Sequence, residues 1–238
     1  MATYVLVHGA WHGGWCWYKV VARLQAAGHR VLAPDLAGLG CDTTPVQDVT
    51  LARWVDQVAS LVAAQPEPMI LVGHSRGGII VSEVAERLPE RIAHAVYLAA
   101  FMIGDGQALM DIARLNTASK LAGATVFDAA TRSTTVRDDL IAPTFYAGCS
   151  ADDVALAKLL LRPEPAAPMS TRLALTTACY GRVPRTYIEC EQDQAVSIDV
   201  QRAMQDAQPG TRVLTLPTDH SPFFSAPDAL TTQLSSLA

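Results

Sequence analysis

Short apolar runs alternate with helix-forming segments along most of the chain, and this alternation restricts the fold more than any other feature. Each run has about five residues, many of them β-branched, and is apolar on both faces; the runs cover residues 3–7, 30–33, 69–73, 95–100, 186–190 and 212–216. Strands of this type are typical of a parallel sheet that is covered on both sides. The sequence therefore predicts an α/β fold with a mostly parallel, doubly wound sheet.

The segments between these runs are helical in part. Residues 51–62 and 79–88 each place their apolar side chains on one helical stripe, and Pro89 ends the second. The alternation of apolar runs and helices ends after about residue 103. In the segment that follows, Ser150 and Asp153 form the N-cap signature of a helix over 154–161. We predict that residues 1–102 and 183–238 form the core and that residues 103–182 form a helical cap over the sheet.

Composition and charge exclude several classes of partner. Asp and Glu (23) outnumber Lys and Arg (18), which gives a net charge of −5 without any block of like charges. Nucleic acids and anionic membranes attract the opposite sign, so we expect neither as a partner. No stretch reaches the roughly 18–20 apolar residues of a membrane span. The five cysteines are scattered and the first residues lack a signal peptide's basic segment, so we expect a cytoplasmic protein.

The segment Gly73-His74-Ser75-Arg76-Gly77 has the G-x-S-x-G pattern of a nucleophile elbow. A buried strand ends at Gly73 and a helix begins near Arg76, so Ser75 would lie on the tight turn between them. Such a turn forces strained dihedral angles on the serine and leaves no space for side chains at the flanking glycines. The pattern predicts that Ser75 is a catalytic nucleophile. The alternative is a glycine-bearing turn with an incidental serine.

Chain order selects the partners of this serine. In an elbow enzyme the acid precedes the base, and both follow late strands. His220 alone among the six histidines follows the last run, and Asp193 follows the run before it. Glu191 and Asp219 compete with Asp193, but Glu191 is too close to the strand and Asp219 adjoins His220, where bonding to the neighbouring ring is awkward. We predict His220 as the base and Asp193 as the acid that orients it.

A metal site is the competing interpretation of the histidines near the first run. His8 and His12 are four residues apart like zinc ligands, but the glycines around them preclude the helix that would align them. We therefore expect no metal and no cofactor. The same glycine-rich loop can instead turn a backbone N–H of Ala10 or Trp11 towards Ser75, beside the N–H of Arg76, as an oxyanion hole. The alternative there is a plain strand–helix turn.

Bulky apolar side chains are predicted to surround the serine and bind an apolar substrate. The candidates for this pocket are Trp11, Phe101, Met102, Phe127, Phe145, Tyr146 and Phe223. The competing interpretation is that most of them form the core of the cap itself.

With these motifs in place, the chain resembles the α/β-hydrolase superfamily along nearly its whole length. Residues 4–15 and 145–163 are similar to the branch of plant methyl-ester esterases and hydroxynitrile lyases. Residues 216–227 are similar to bacterial pyrethroid-type carboxylesterases of the same branch. The resemblance implies a hydrolase that uses Ser75, His220 and Asp193, without a cofactor, through an acyl-enzyme.

Two departures separate this chain from neighbouring activities. The hydroxynitrile lyases carry a threonine where this chain has Gly9 and a lysine where it has Ser221, and those groups bind the cyanohydrin and stabilise departing cyanide. Dehalogenases and epoxide hydrolases need an aspartate where this chain has Ser75. We therefore predict a serine carboxylesterase for medium-sized hydrophobic esters. The alternatives are a lyase or a perhydrolase on the same scaffold, or a binding protein. The expected partner is a small-molecule ester. A homodimer is compatible with the sequence.

Overall fold

A six-stranded sheet forms the centre of the molecule in the computed structural model, which describes residues 1–238. Its strands, in chain order, are β1 (Thr3–Val7), β2 (Arg30–Leu32), β3 (Met69–His74), β4 (Ile92–Leu98), β8 (Arg185–Cys190) and β9 (Arg212–Leu216). They lie side by side in the order β2-β1-β3-β4-β8-β9, and every pair is parallel. All six apolar runs of the sequence are strands of this sheet, which confirms the predicted fold class.

Helices cover both faces of this sheet, as the apolar character of its strands requires. The helices that flank it are α1 (Tyr18–Ala26), α2 (Leu51–Ala63), α3 (Gly77–Arg87), α8 (Ile198–Asp206) and α10 (Pro227–Ser235). In β1, Val5 and Val7 pack into one core cluster with α2, α3 and α8. Tyr4 and Leu6 point the other way and pack with α1 and α10. No helix of the structure has both the length and the apolar composition needed to cross a membrane.

The segment between β4 and β8, called the insertion below, contains strands as well as helices. Its helices are α4 (Leu109–Ala113), α5 (Leu121–Ala124), α6 (Asp138–Phe145) and α7 (Ala151–Leu160), and its strands are β5 (Thr125–Asp128), β6 (Ser133–Val136) and β7 (Glu164–Pro165). Helix α7 has the predicted N-cap, because Ser150 accepts a hydrogen bond from the Asp153 amide at 3.2 Å, but the helix begins at Ala151 and not at residue 154. The segment that the sequence predicted as helical is helical in part and also contains the three short strands β5, β6 and β7. All four residues of β5 are exposed, so the sequence carries no apolar alternation there.

The direction of the strands determines where the functional loops meet. Because parallel strands end at the same edge of a sheet, the loops that follow β1, β3, β8 and β9 leave from one edge. These loops carry the glycine-rich segment, Ser75, Asp193 and His220 respectively. A short helix, α9 (Pro222–Ser225), follows His220 and leads into α10.

Candidate active site

Ser75 lies on the turn between β3 and α3, where the sequence predicted it. Its φ of 52° lies in the left-handed region, which costs a residue with a side chain of order 1–3 kcal/mol. The flanking glycines make the turn possible. A Cβ on Gly73 would lie 2.6 Å from Val81 Cγ2, and one on Gly77 would lie 2.9 Å from the Val7 carbonyl oxygen. The tight turn holds the hydroxyl of Ser75 at the edge of the sheet, with 9% of the residue exposed.

His220 and Asp193 form a buried, closely bonded pair at this edge. His220 Nδ1 lies 2.6 Å from Asp193 Oδ2. An ionised carboxylate can only accept, so Nδ1 carries the proton and Nε2 of the neutral ring is left as a base. Asp193 is itself held in place, because its Oδ1 accepts from the amides of Ala195 and Val196 at 2.7 and 2.9 Å. The pair thus has the bonding pattern of an acid that orients a catalytic histidine.

The loop of His220 is fastened to the elbow through the residue before Ser75. His74 Nε2 donates to the His220 carbonyl oxygen at 2.8 Å, and the centres of the two rings are 4.5 Å apart. Ser75 makes no hydrogen bond to the His220 ring in the structure. Catalytic hydrogen bonds of unliganded enzymes are often long and close only in the substrate complex. The structure therefore shows a direct contact between His220 and Asp193 and links the loop of His220 to the residue before Ser75, without a serine–histidine bond.

The two competing acids have other contacts. Asp219 accepts from the Gly148 amide at 2.8 Å and from Ser225 Oγ at 2.7 Å, so it anchors the segment after α6 to the loop of His220. Glu191 is exposed, with its carboxylate 3.9 Å from Arg202. Neither carboxylate contacts the His220 ring, which is bonded to Asp193.

The glycine-rich loop offers one of its two predicted donors. The amide N–H groups of Ala10 and Arg76 donate to no protein acceptor, as a pair of oxyanion donors requires. The amide of Trp11 is occupied, because it donates to Glu164 Oε2 at 2.8 Å. The prediction of Trp11 as an oxyanion donor was therefore wrong. The sequence holds no signal for this contact, since Glu164 is far along the chain and belongs to β7.

Three histidines around the site are bonded as neutral rings. His12 Nδ1 donates to the Ala10 carbonyl oxygen at 2.7 Å, and Tyr146 donates its hydroxyl to His12 Nε2 at 2.6 Å. His8 Nδ1 donates to the Gly9 carbonyl oxygen at 2.9 Å, and its Nε2 accepts from the Leu36 amide. Burial lowers the pKa of His12 to about 4 and moves the pKa of His8 and of His74 well below the usual range. These rings hold the loop backbone and carry no charge at neutral pH.

The structure contains no cluster of three or more His, Cys, Asp or Glu side chains arranged to hold a metal ion. Both ring nitrogens of His8 and of His12 are engaged in the hydrogen bonds just described. The interpretation of these two histidines as zinc ligands therefore finds no support in their geometry.

Five of the seven predicted pocket residues fall into three groups. The Phe145 ring lies beside the reactive groups, with its centre 5.8 Å from that of His220 and 5.6 Å from that of Trp11. Tyr146 and Phe223 are fully buried and pack around His12. Phe101 is bound to the elbow, because its amide donates to the Ser75 carbonyl oxygen at 3.0 Å.

Two of the pocket predictions were wrong. Phe127 lies on β5 with 59% of its surface exposed, because no part of the molecule covers that strand. Met102 is buried in the core cluster that also contains α8, and its sulfur contacts Thr211 Oγ1 at 3.8 Å. The residue types, and for Met102 the position at the end of a strand, suggest a pocket, whereas the direction of each side chain depends on backbone geometry that the sequence does not reveal.

Two residues that the sequence did not single out complete the site. Glu164 pairs with the buried guanidinium of Arg76, Nε to Oε1 at 2.9 Å. Gln201 on α8 is fully buried and donates to Asp193 Oδ2 at 3.3 Å and to two backbone carbonyl groups. The sequence does indicate that Arg76 has an acidic partner, because an arginine buried next to the elbow serine needs an anionic group, but it does not indicate that this partner is Glu164.

Comparison with known proteins identifies the family of the chain. The model of the alpha/beta hydrolase family matches residues 4–233. A putative chloroplastic methylesterase 11 of Arabidopsis thaliana is 36% identical over 239 residues; the match covers 95% of this chain and 61% of that relative's length. A crystal structure of an Arabidopsis methylesterase superposes with a TM-score of 0.86 at 30% identity, covering 99% of this chain and 98% of that one. A pyrethroid hydrolase from Sphingobium faniae JZ-2 superposes with a TM-score of 0.88 at 27% identity, covering 99% and 97%.

Proposed function

The chain belongs to the alpha/beta hydrolase family, in the branch of plant methylesterases and pyrethroid hydrolases, and from this premise we propose that it is a serine carboxylesterase. One observation carries the proposal. His220 Nδ1 is bonded to Asp193 at 2.6 Å, at the sheet edge that also holds the strained Ser75. This arrangement leaves His220 Nε2 as a base beside a hydroxyl nucleophile.

The first half of the reaction forms an acyl-enzyme. His220 Nε2 takes the proton of Ser75 while Oγ attacks the ester carbonyl carbon. The electron pair of the C=O bond moves to its oxygen, and the free N–H groups of Ala10 and Arg76 bind this oxyanion. When the tetrahedral intermediate collapses, the ester C–O bond breaks and His220 gives its proton to the departing alcohol.

The second half repeats the chemistry with water. His220 takes a proton from water as the water oxygen attacks the acyl carbon. The bond to Ser75 then breaks, the serine recovers its proton from His220, and the carboxylic acid leaves. Asp193 stabilises the imidazolium in both halves by accepting from Nδ1.

The surroundings of the site favour an uncharged, hydrophobic ester of medium size. The Phe145 ring lies beside His220, and the Trp11 ring packs against Phe145. The one cationic side chain at the elbow, Arg76, is paired with Glu164 and offers no free charge to a substrate. The relatives are named methylesterases and a pyrethroid hydrolase, which supports ester hydrolysis as the reaction.

A specific contact argues against the hydroxynitrile lyase alternative. A Cβ at Gly9 would lie 2.8 Å from His74 Nδ1 and 3.0 Å from Ser75 Cβ. The threonine that the lyases carry there therefore has no space in this loop as it is folded. Ser221, where the lyases carry a lysine, brings no positive charge for cyanide.

A panel of substrates tests the proposal. The wild type and Ser75→Ala are assayed with p-nitrophenyl acetate, butyrate and octanoate, with methyl salicylate, with a pyrethroid and with mandelonitrile. We expect the wild type to hydrolyse the esters and to leave mandelonitrile intact, and Ser75→Ala to lose ester turnover. Cleavage of mandelonitrile without ester hydrolysis would contradict the proposal and favour the lyase.

A further inference from the structure

The elbow contains a buried ion pair that the proposed mechanism does not use. Arg76 Nε donates to Glu164 Oε1 at 2.9 Å, and each of the two side chains is 1% exposed. Arg76 directly follows Ser75, whereas Glu164 lies on β7 of the insertion. The guanidinium also lies over the Trp54 ring, with its central carbon 4.1 Å from the ring centre. The pair therefore joins the insertion to the residue next to the nucleophile.

The Arg76 side chain also binds the backbone of the glycine-rich loop. Its Nη2 donates to the Gly9 carbonyl oxygen at 2.9 Å, and His8 Nδ1 donates to the same oxygen at 2.9 Å. The C=O of Gly9 and the N–H of Ala10 belong to one planar peptide group and point in opposite directions. Hydrogen bonds that fix the Gly9 oxygen therefore fix the direction of the Ala10 N–H.

Glu164 and its neighbours hold the next peptide group of the same loop. Glu164 Oε2 accepts from the Trp11 amide at 2.8 Å. The Trp11 carbonyl oxygen accepts from the Arg162 amide at 2.9 Å, and the Trp11 indole N–H donates to the Thr134 carbonyl oxygen at 3.0 Å. Trp11 needs such support because its φ of 62° lies in the left-handed region. The loop is thus held from the elbow and from the insertion.

Stability alone gives little reason for this ion pair. Burial lowers the pKa of Arg76 and raises the pKa of Glu164, and the partner's charge offsets each change only in part. A buried ion pair is often no more stabilising than apolar residues of the same volume. What apolar residues lack is the set of directed hydrogen bonds to Gly9 and Trp11.

We propose that Arg76 and Glu164 are positioning residues that aim the Ala10 N–H at the oxyanion, so that Arg76 supplies one donor with its backbone and orients the other with its side chain. The inference rests on the proposed esterase function. Loss of the side-chain contacts leaves both N–H groups in the chain but lets the Ala10 peptide rotate. The transition state, in which the negative charge develops, then loses more stabilisation than the bound ester does.

The test compares variants of two ion pairs that both join the insertion to the core. Arg76→Met with Glu164→Gln removes both charges, so that no lone charge is left buried. Arg76→Lys keeps the charge but lacks the planar fork that contacts Glu164 and Gly9 together. Lys19→Met with Asp153→Asn is the control, because Lys19 Nζ bonds Asp153 at 2.7 Å without touching the glycine-rich loop. Each protein is checked by circular dichroism and assayed with p-nitrophenyl butyrate.

We expect kcat of the Arg76/Glu164 double variant and of Arg76→Lys to fall roughly tenfold to a hundredfold, with KM changed less than about threefold. Affinity for phenylboronic acid, whose adduct with Ser75 places an oxygen in the oxyanion hole, should fall by the same factor as kcat. If Arg76 and Glu164 only stabilised the fold, the loss in kcat and the loss in boronate affinity would not be equal. The Lys19/Asp153 control should retain its kcat and its boronate affinity.

Each outcome decides between defined alternatives. If the wild type hydrolyses the ester, Ser75→Ala does not, and the Arg76 variants keep the wild-type kcat, the inference is overturned and the proposed function stands. A fall in kcat of the Arg76 variants without loss of boronate affinity also overturns the inference. If the wild type hydrolyses no ester, the proposed function fails and the inference with it. If the double variant does not fold, Arg76→Lys alone decides.

Discussion

His74 donates a hydrogen bond from Nε2 to the carbonyl oxygen of His220, with a length of 2.8 Å. The residue before the candidate nucleophile thus holds the backbone of the candidate base. Because the nucleophile and the base come from loops 145 positions apart in the sequence, this bond is a direct link between the two loops.

The first prediction concerns this bond. His74→Phe keeps an aromatic ring at the position but removes the donor, which leaves the buried His220 carbonyl oxygen without a partner. We expect the free energy of unfolding to fall by about 1–3 kcal/mol and kcat to fall about tenfold, since the base is no longer held against the elbow. Urea unfolding and steady-state kinetics measure the two effects.

A second histidine provides the matched control for that change. His94 on β4 also makes one hydrogen bond through Nε2, to Thr186 Oγ1 at 2.7 Å, but it lies near the other end of the strand. His94→Phe should therefore leave kcat unchanged. Equal losses of kcat in His74→Phe and His94→Phe would contradict a specific role of the His74–His220 hydrogen bond in positioning the base.

The second prediction separates Asp193 from Asp219, the buried aspartate next to His220 in the sequence. Asp193→Asn removes the charge that orients His220 and stabilises its protonated form, and we expect kcat to fall by about 10⁴-fold with the fold retained. Asp219→Asn loosens the anchor to Gly148 and Ser225, and should lower stability while reducing kcat less than tenfold. A larger kcat loss for Asp219→Asn than for Asp193→Asn would reverse the assignment of the acid.

The third prediction concerns pH and stability. The pKa of His12 is lowered by burial to about 4, and those of His8 and His74 are also well below the ordinary value of about 6.5. Between about pH 6.5 and 4 the unfolded chain therefore binds more protons than the folded one. The stabilisation that results from keeping these rings neutral should be complete above about pH 6.5. On acidification through this window the free energy of unfolding should decrease, by up to about 1.4 kcal/mol per pH unit for each histidine.

Urea unfolding at pH 7, 6 and 5 measures this slope. His12→Gln removes one of the three buried rings, so the slope of the variant should be smaller than that of the wild type. A wild-type stability that does not change from pH 7 to pH 5 would contradict the assignment of three neutral histidines.

The fourth prediction tests the corrected pocket. Phe145→Val replaces the ring that lies beside His220 with a smaller apolar side chain, and we expect KM for p-nitrophenyl butyrate to rise about tenfold through lost apolar contact. Phe127→Ser changes an exposed side chain of β5 and should leave both kcat and KM unchanged. If KM responded to Phe127 and not to Phe145, the substrate would bind against the outer surface of the insertion.

Much of this architecture could be predicted from the sequence because buried parallel strands have a strong local signal. The run at 69–73 is apolar on both faces, and the glycines around Ser75 are required by close contacts within the turn itself. The order of Ser75, Asp193 and His220 along the chain then limits how the loops meet at one edge of the sheet. These features depend on local geometry and on the direction of the strands.

The features that escaped prediction depend on contacts between distant segments. Strand β5 is short and fully exposed, so it has no apolar pattern to detect. The partner of the Trp11 amide is Glu164, more than 150 residues away in the sequence, and no local rule connects the two. Gln201 looks like an ordinary surface residue of a helix, although it is fully buried beneath Asp193.

The most direct test of the central claim is covalent labelling of Ser75. A fluorophosphonate ester is added to the wild type, Ser75→Ala, His220→Ala and Asp193→Asn, and the mass of each intact protein is followed over time. We predict that one phosphonyl group is added to the wild type on Ser75 with loss of fluoride, that Ser75→Ala gains none, and that the other two variants react at least a hundredfold more slowly. Equally fast labelling of wild type and Ser75→Ala, or unchanged rates in His220→Ala and Asp193→Asn, would contradict the account.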